Sequence, residues 1–102
     1  MDFYDRYRTA ELAFEQRRYS EAAELLGALF ADITDAASSA EPLLGTGEAR
    51  LLHARSLYHS AQLARAESAA RALVEQDPTD AYAALLLSRT LRRRGQVEAA
   101  DE

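Results

Sequence analysis

The sequence predicts an all-α fold that is assembled from helix–turn–helix units. Composition is the first indication, because 22 of the 102 residues are alanine and the helix-favouring Leu, Glu and Arg are abundant. Val and Ile are nearly absent, and no stretch alternates polar with β-branched residues as a strand would. The third indication is that the sequence repeats itself along the chain.

Two prolines and four glycines are the main residues that interrupt the helical pattern. Between them, apolar residues recur at helical spacing, as at Leu63, Ala66 and Ala70. The joints at 16–18 and 59–62 are short, which predicts antiparallel neighbours. The predicted helices span about 3–16, 19–36, 47–60, 63–76 and 81–93, and a further helix starts near 97 after a turn at Gly95.

Comparison of the sequence with itself reveals a repeated unit. At an offset of 34, Ala49, Leu51, Leu52, Arg55, Leu57 and Ala66 fall on Ala83, Leu85, Leu86, Arg89, Leu91 and Ala100. At an offset of 44, Ala10 falls on Ala54 and Ala22 on Ala66, so the first unit has ten additional residues. These small residues predict a close approach between the two helices of each unit.

This pattern resembles the tetratricopeptide repeat, a helix–turn–helix unit of about 34 residues. The resemblance rests most on residues 54–78, where Ala54 and Ala66 are the small residues of the two helices and Pro78 closes the second. It implies one domain, a short right-handed α-solenoid of about two and two-thirds units. The units are 3–36, 47–80 and an incomplete third at 81–102, with an insert loop at 37–46.

In this family the first helix of each unit lines a concave groove. The resemblance implies a non-enzymatic interaction module that binds a peptide or partner protein, with aromatic and arginine anchors. An alternative for the aromatic residues of the first helix is that they only cover one end of a small core. The resemblance places the following residues in the groove: Tyr4, Tyr7, Glu11, Phe14, Arg55, Tyr58, His59, Tyr82, Arg89, Arg92 and Arg93.

The sequence contains no arrangement that is typical of an enzyme or a metal site. It has no cysteine, no Gly-rich phosphate loop and no Gly-x-Ser-x-Gly stretch. His53 and His59 are six residues apart on one helix and therefore point to different sides of it. We interpret His53 as a packing residue, because Leu87 occupies the equivalent position. The prediction is no catalysis, no metal ligand and no cofactor.

The charge distribution argues against general binding to nucleic acid. The net charge is −5, with −6 in residues 1–48 and +1 in residues 49–102, whereas nucleic-acid binders show an extended basic face. A weaker alternative is an adaptor for nucleic acid through Arg89, Arg92, Arg93 and Arg94. No apolar run approaches the roughly 18 residues that span a bilayer, and no signal peptide is evident. We therefore expect a cytoplasmic protein that does not enter membranes.

The final stretch, LRRRGQVEAADE, suggests a second function. If Gly95 is a turn, residues 96–102 begin a helix whose remaining turns are missing, and Arg94 faces solvent. The face formed by Leu87, Leu91 and Val97 then lacks a cover. The chain is therefore either part of a longer protein or a homo-oligomerising scaffold in which another copy covers this face.

Overall fold

The computed structural model describes residues 3–36 and 46–101, which form five helices. No strand occurs among these residues, so the predicted all-α fold is confirmed. The first four predicted helices agree with the structure to within a residue at each end. Apart from Thr46, the predicted insert loop 37–46 lies outside the described residues. The helices are α1 (Phe3–Glu15), α2 (Tyr19–Ala36), α3 (Thr46–His59), α4 (Leu63–Gln76) and α5 (Ala81–Asp101).

Each helix packs against the next one in the chain, from α1 against α2 to α4 against α5. The central helix α3 also contacts α1 on one side and α5 on the other. Buried residues from α1, α2 and α3 form one apolar cluster, which includes Ala10, Leu26 and Leu52. A second cluster joins α3, α4 and α5 and includes Ala54 and Leu86. The helix α3 therefore contributes to both halves of the core.

The turns from α1 to α2 and from α3 to α4 have the same geometry. Arg17 and Ala61, which the offset of 44 superimposes, adopt left-handed backbone conformations with φ of 62° and 63°. The amide of Arg17 donates a 2.9 Å hydrogen bond to Phe14 O, and the amide of Ala61 donates one of 3.1 Å to Tyr58 O. The residue after each donates to the carbonyl five positions earlier, which completes a Schellman motif.

The small residues that the repeat predicted at the helix crossings are buried. Ala10 and Ala54 on the first helices, and Ala22 and Ala66 on the second, have no exposed surface. A methyl group is therefore the largest side chain that fits at these crossings without a shift of the helices. The two complete helix pairs share the predicted register.

The helix α5 begins at a polar cap. Its first residue, Ala81, follows Asp80, whose carboxylate accepts a 3.1 Å hydrogen bond from the amide of Ala83. The preceding turn is closed by Asp77, whose carboxylate accepts bonds from the amide and the hydroxyl of Thr79. The predicted end of α4 before Pro78 is confirmed, since α4 ends at Gln76.

The predicted turn at Gly95 is wrong, because α5 is one helix from Ala81 to Asp101. Hydrogen bonding along the helix continues through Gly95, and no described helix packs on the outer face of α5 to stabilise a fold-back. Ser88, which is equivalent to the buried Ala54, is consequently exposed. The face of Leu87, Leu91 and Val97 was predicted to be uncovered. Leu91 is exposed, Leu87 is half-buried, and the side chain of Val97 lies outside the described residues.

Candidate binding groove

A groove of about 480 Å³ lies between α3 and α5, and we call it the α3–α5 groove. Both helices are antiparallel to α4, to which short turns connect them, so they run in the same direction. The groove takes four side chains from each helix. They are Leu51, Arg55, Tyr58 and His59 from α3, and Tyr82, Leu85, Leu86 and Arg89 from α5.

The repeat explains why these side chains face one another. Leu51 and Leu85 occupy equivalent positions of consecutive units, as do Arg55 and Arg89. Equivalent residues on parallel neighbouring helices point in the same direction, so each pair lines the groove at the same position along its length. The groove therefore contains a leucine pair and an arginine pair, separated by about one helical turn.

The groove is apolar at one end and has exposed walls. Leu86 is 8% exposed and belongs to its floor, whereas Leu85 is 48% exposed and Tyr82 is 76% exposed. These two side chains lie near the start of α5, beside Leu51 on α3. An exposed leucine and tyrosine beside a buried leucine form a surface on which an apolar side chain can be buried.

The other end of the groove is basic. Arg55 and Arg89 line it, and no carboxylate is among the eight lining residues. The guanidinium of Arg55 lies over the ring of Phe14, 4.7 Å from its centroid, which orients it. Arg89 is exposed and makes no hydrogen bond or ion pair with any residue that the structure describes. Both guanidinium groups therefore have donors available to a ligand.

His59 joins the groove to an aromatic cluster. Its ring stacks on Tyr19 at 4.7 Å and meets the edges of Phe14 at 5.7 Å and Tyr58 at 5.4 Å. Burial lowers the pKa of His59 because it disfavours the imidazolium, and the nearby charges of Arg55 and Arg93 lower it further. The histidine is therefore mainly neutral at pH 7, and most of the positive charge of this region comes from arginine.

Arg93 and Arg94 attach α5 to its neighbours. Arg93 is half-buried, donates a 2.9 Å hydrogen bond from its guanidinium to Tyr58 O, and lies over the Tyr58 ring at 5.1 Å. Arg94, which was predicted to face solvent, instead donates a 2.8 Å hydrogen bond to Glu67 on α4. These contacts could not be read from the repeat, since neither pair of residues is close in sequence.

Tyr4, Tyr7 and Glu11, which the resemblance placed in the groove, do not line the α3–α5 groove. Tyr7 is half-buried against the first core cluster and stacks on Phe3 at 6.1 Å, while Tyr4 is exposed. Burial and the carboxylates of Glu11 and Glu48 raise the pKa of Tyr7, and Arg55 opposes them. Glu11 borders a separate shallow cavity on α1.

Five of the eleven predicted groove residues line the α3–α5 groove together. They are Arg55, Tyr58, His59, Tyr82 and Arg89. Phe14 and Arg93 lie behind its wall, in contact with Arg55 and Tyr58, and Arg92 is exposed on α5 outside the lining. Two residues of this region were not predicted, namely Tyr19, which stacks on His59, and Leu86 in the floor. The available signal for Leu86 was its identity with Leu52 at the offset of 34, and both leucines are buried.

His53, interpreted as a packing residue, lies half-buried between α2 and α4. Its ring is 5.6 Å from that of Phe30, and burial lowers its pKa, with smaller contributions from Arg65 and Arg50. Within the described part of the chain, no three His, Cys, Asp or Glu side chains are grouped so that they could hold a metal ion. None of the helices described is both long and apolar enough to cross a membrane.

Comparison with known proteins identifies no relative. No protein-family model, no curated protein and no solved structure matches this chain.

Proposed function

We propose that this chain is a non-enzymatic protein-binding module, similar to tetratricopeptide-repeat proteins, that holds a peptide segment of a partner in the α3–α5 groove. The observation that supports it best is the groove itself, which combines exposed Tyr82 and Leu85 with two arginines. Aromatic and arginine side chains are the residues that most often dominate binding energy at protein interfaces.

The likeness to a right-handed α-solenoid is part of the same proposal. Two turns of identical hydrogen-bonding geometry at Arg17 and Ala61 support it, as do the fully buried alanines at the helix crossings. In such a stack the first helix of each unit faces the inner side. The helices α1, α3 and α5 are the first helices here, and the contacts of α3 with both others fit this arrangement.

The composition of the groove favours binding over catalysis. Its only side chain that can act as a base near neutral pH is His59, whose ring is in contact with three aromatic rings. None of the lining residues is a carboxylate that could orient this imidazole, or a serine or threonine that it could activate.

The proposal is tested by selecting peptides of about nine residues from a display library against the immobilised protein. The groove variant, Tyr82→Ala with Leu85→Ser, removes two exposed side chains and should keep its fold. Its matched control is Tyr4→Ala with Leu12→Ser on α1, where the side chains are exposed to a similar degree, 65% and 51%. We expect selected peptides to lose at least about tenfold in affinity for the groove variant only.

Equal binding of the selected peptides to the wild type and the groove variant would contradict this proposal. A loss confined to the control variant would transfer the binding site to α1. Circular dichroism melts of all three proteins verify that the substitutions leave the helices intact.

Self-assembly through the face of α5 that carries Leu87 and Leu91 is a second candidate function, and the exposure of Leu91 favours it. Leu91 is 42% exposed, although the equivalent Leu57 is 3% exposed. Sedimentation velocity over a hundredfold range of concentration tests it, with Leu91→Glu as the variant. Self-assembly predicts a mass that rises with concentration in the wild type and stays constant in L91E, and a constant monomer mass in the wild type excludes it.

A further inference from the structure

We propose that the segment bound in the α3–α5 groove is acidic, with a large apolar side chain about two or three residues from an aspartate or glutamate. The carboxylate binds between Arg55 and Arg89, and the apolar side chain packs on Leu51, Tyr82 and Leu85. This inference rests on the proposed function, because it names the chemistry of the partner for the same groove.

The charge of the groove is opposite to that of the chain. The protein has a net charge of −5, yet the eight lining residues comprise two arginines and no acid. Along α5 no acidic residue occurs between Ala81 and Gln96, whereas four arginines do. Because the acidic residues lie elsewhere, the basic end of the groove is a local feature that an acidic segment complements.

The arginines of this region also act on His59. Burial of the ring lowers the pKa of His59 most, the charges of Arg55 and Arg93 lower it further, and these charges also favour a carboxylate placed in the groove. Arg55 is also held in place by Phe14, 4.7 Å below its guanidinium. A fixed guanidinium loses less side-chain entropy when it binds and can donate two parallel hydrogen bonds to one carboxylate.

The spacing within the ligand follows from helix geometry. Leu85 and Arg89 are four residues apart on α5, which corresponds to roughly 6 Å along the helix, and Tyr82 and Arg89 are separated by roughly 10 Å. An extended peptide advances about 3.3 Å per residue, so these separations match about two to three residues. An apolar residue and an acid at this spacing can therefore occupy both ends of the groove at once.

The acid is proposed to be a side chain within the segment. The probes are therefore peptides with acetylated N-termini and amidated C-termini, so that the only carboxylates are those of Asp and Glu. The best peptide from the selection is compared with a version in which each Asp and Glu is replaced by Asn and Gln. A third version moves the acid six positions from the apolar residue.

Fluorescence anisotropy measures peptide binding to the variant Arg55→Gln/Arg89→Gln. Its matched control, Arg8→Gln/Arg17→Gln, removes the same charge from α1 and from the turn between α1 and α2. We expect the acidic peptide to bind at least about tenfold more tightly than its amide version and than the version with displaced acid. We expect the same loss for R55Q/R89Q, no loss for R8Q/R17Q, and weaker binding in about 500 mM than in about 50 mM NaCl.

The failure of this inference differs from the failure of the proposed function. If the selected peptides lack acidic residues, or bind R55Q/R89Q as well as the wild type, while Y82A/L85S abolishes binding, the groove binds peptides but the inference is wrong. If the groove variant retains full binding, the proposed site is wrong, and this inference fails with it. Thermal melts of R55Q/R89Q verify that any loss of affinity is not a loss of fold.

Discussion

Arg93 donates a 2.9 Å hydrogen bond to the backbone carbonyl of Tyr58, which lies in the last turn of α3. The same guanidinium lies over the Tyr58 ring, so one side chain holds both the end of α3 and a wall of the groove. The same oxygen accepts a 3.1 Å hydrogen bond from the amide of Ala61, and Arg93 adds a charged donor at the C-terminus of the helix, where carbonyl groups attract positive charge. Arg93 therefore stabilises the geometry of the groove from behind its wall.

Arg93→Met is expected to lower the free energy of unfolding by about 1–2 kcal/mol, because it removes a charged donor from a half-buried carbonyl and keeps the apolar stem. The control is Arg92→Met, since Arg92 is exposed and makes no hydrogen bond or ion pair with a described residue. Its effect should stay within about 0.5 kcal/mol. Urea unfolding measures both, and equal effects of the two substitutions would contradict the role of Arg93.

Ala66→Leu is expected to destabilise the fold by about 1–3 kcal/mol, because Ala66 is fully buried in a cluster with Ala23 and Leu57. The additional carbons would force α2, α3 and α4 apart. Ala64→Leu places the same side chain at an exposed position of α4 and should change the stability by less than about 0.5 kcal/mol. A melting temperature of A66L that equals that of A64L would disprove the register assigned to the repeat.

Ala61→Gly is expected to stabilise the protein by about 0.5–1 kcal/mol. Ala61 has a φ of 63°, a conformation that costs an L-residue about 1–2 kcal/mol and glycine little, while glycine loses more backbone entropy on folding. The control, Ala72→Gly, lies in the interior of α4 and should destabilise by about 1 kcal/mol. If A61G and A72G shift the urea midpoint in the same direction, the left-handed conformation is incorrect.

The bounds of α1 to α4 and the short turns after α1 and α3 could be predicted because local rules determine them. Prolines and the spacing of apolar residues fix where helices end, and Arg17 and Ala61, which share a left-handed conformation, occupy equivalent positions at the offset of 44. The five groove residues from α3 and α5 were implied by the resemblance to the tetratricopeptide repeat, and the internal repeat accounts only for the equivalent pair Arg55 and Arg89.

The contacts of Arg93 and Arg94 could not be predicted, because they depend on distances between helices. The repeat indicates which face of α5 an arginine occupies, but not that a carbonyl on α3 or Glu67 on α4 lies within its reach. The cluster around His59 is of the same kind, as it combines Phe14 from α1 with Tyr19 from α2. Such sites arise only once three helices are packed.

The pH dependence of stability follows from the lowered pKa of His53. Burial and the charges of Arg65 and Arg50 make the His53 imidazole bind a proton less readily in the folded protein than in the unfolded chain, where its pKa is near 6.5. As the pH falls below about 6.5, the unfolded state takes up a proton first. The contribution of neutral His53 to the free energy of unfolding is therefore complete above about pH 6.5 and is lost as the pH falls toward the pKa of His53 in the folded protein.

Urea unfolding at about pH 7.5, 6.5 and 5.5 measures this loss. The variant His53→Gln should reduce the fall in stability over this range, because glutamine does not titrate. His59→Gln should reduce it less, since His59 is more exposed than His53. A wild-type stability that is constant or rises from pH 7.5 to 5.5 would be incompatible with the direction of these shifts.

Gly95→Ala distinguishes the continuous helix α5 from the turn that the repeat predicts. Gly95 occupies the position equivalent to Ala61, yet it lies within α5, and an added Cβ would lie within 4 Å of no described residue beyond its chain neighbours and the adjacent helix backbone. In a helix, alanine is favoured over glycine by about 0.5–1 kcal/mol, so G95A should raise the helical signal and the stability. In a left-handed turn like that of Ala61, the same substitution would destabilise by a similar amount. Circular dichroism at 222 nm and urea unfolding therefore give opposite results for the two conformations.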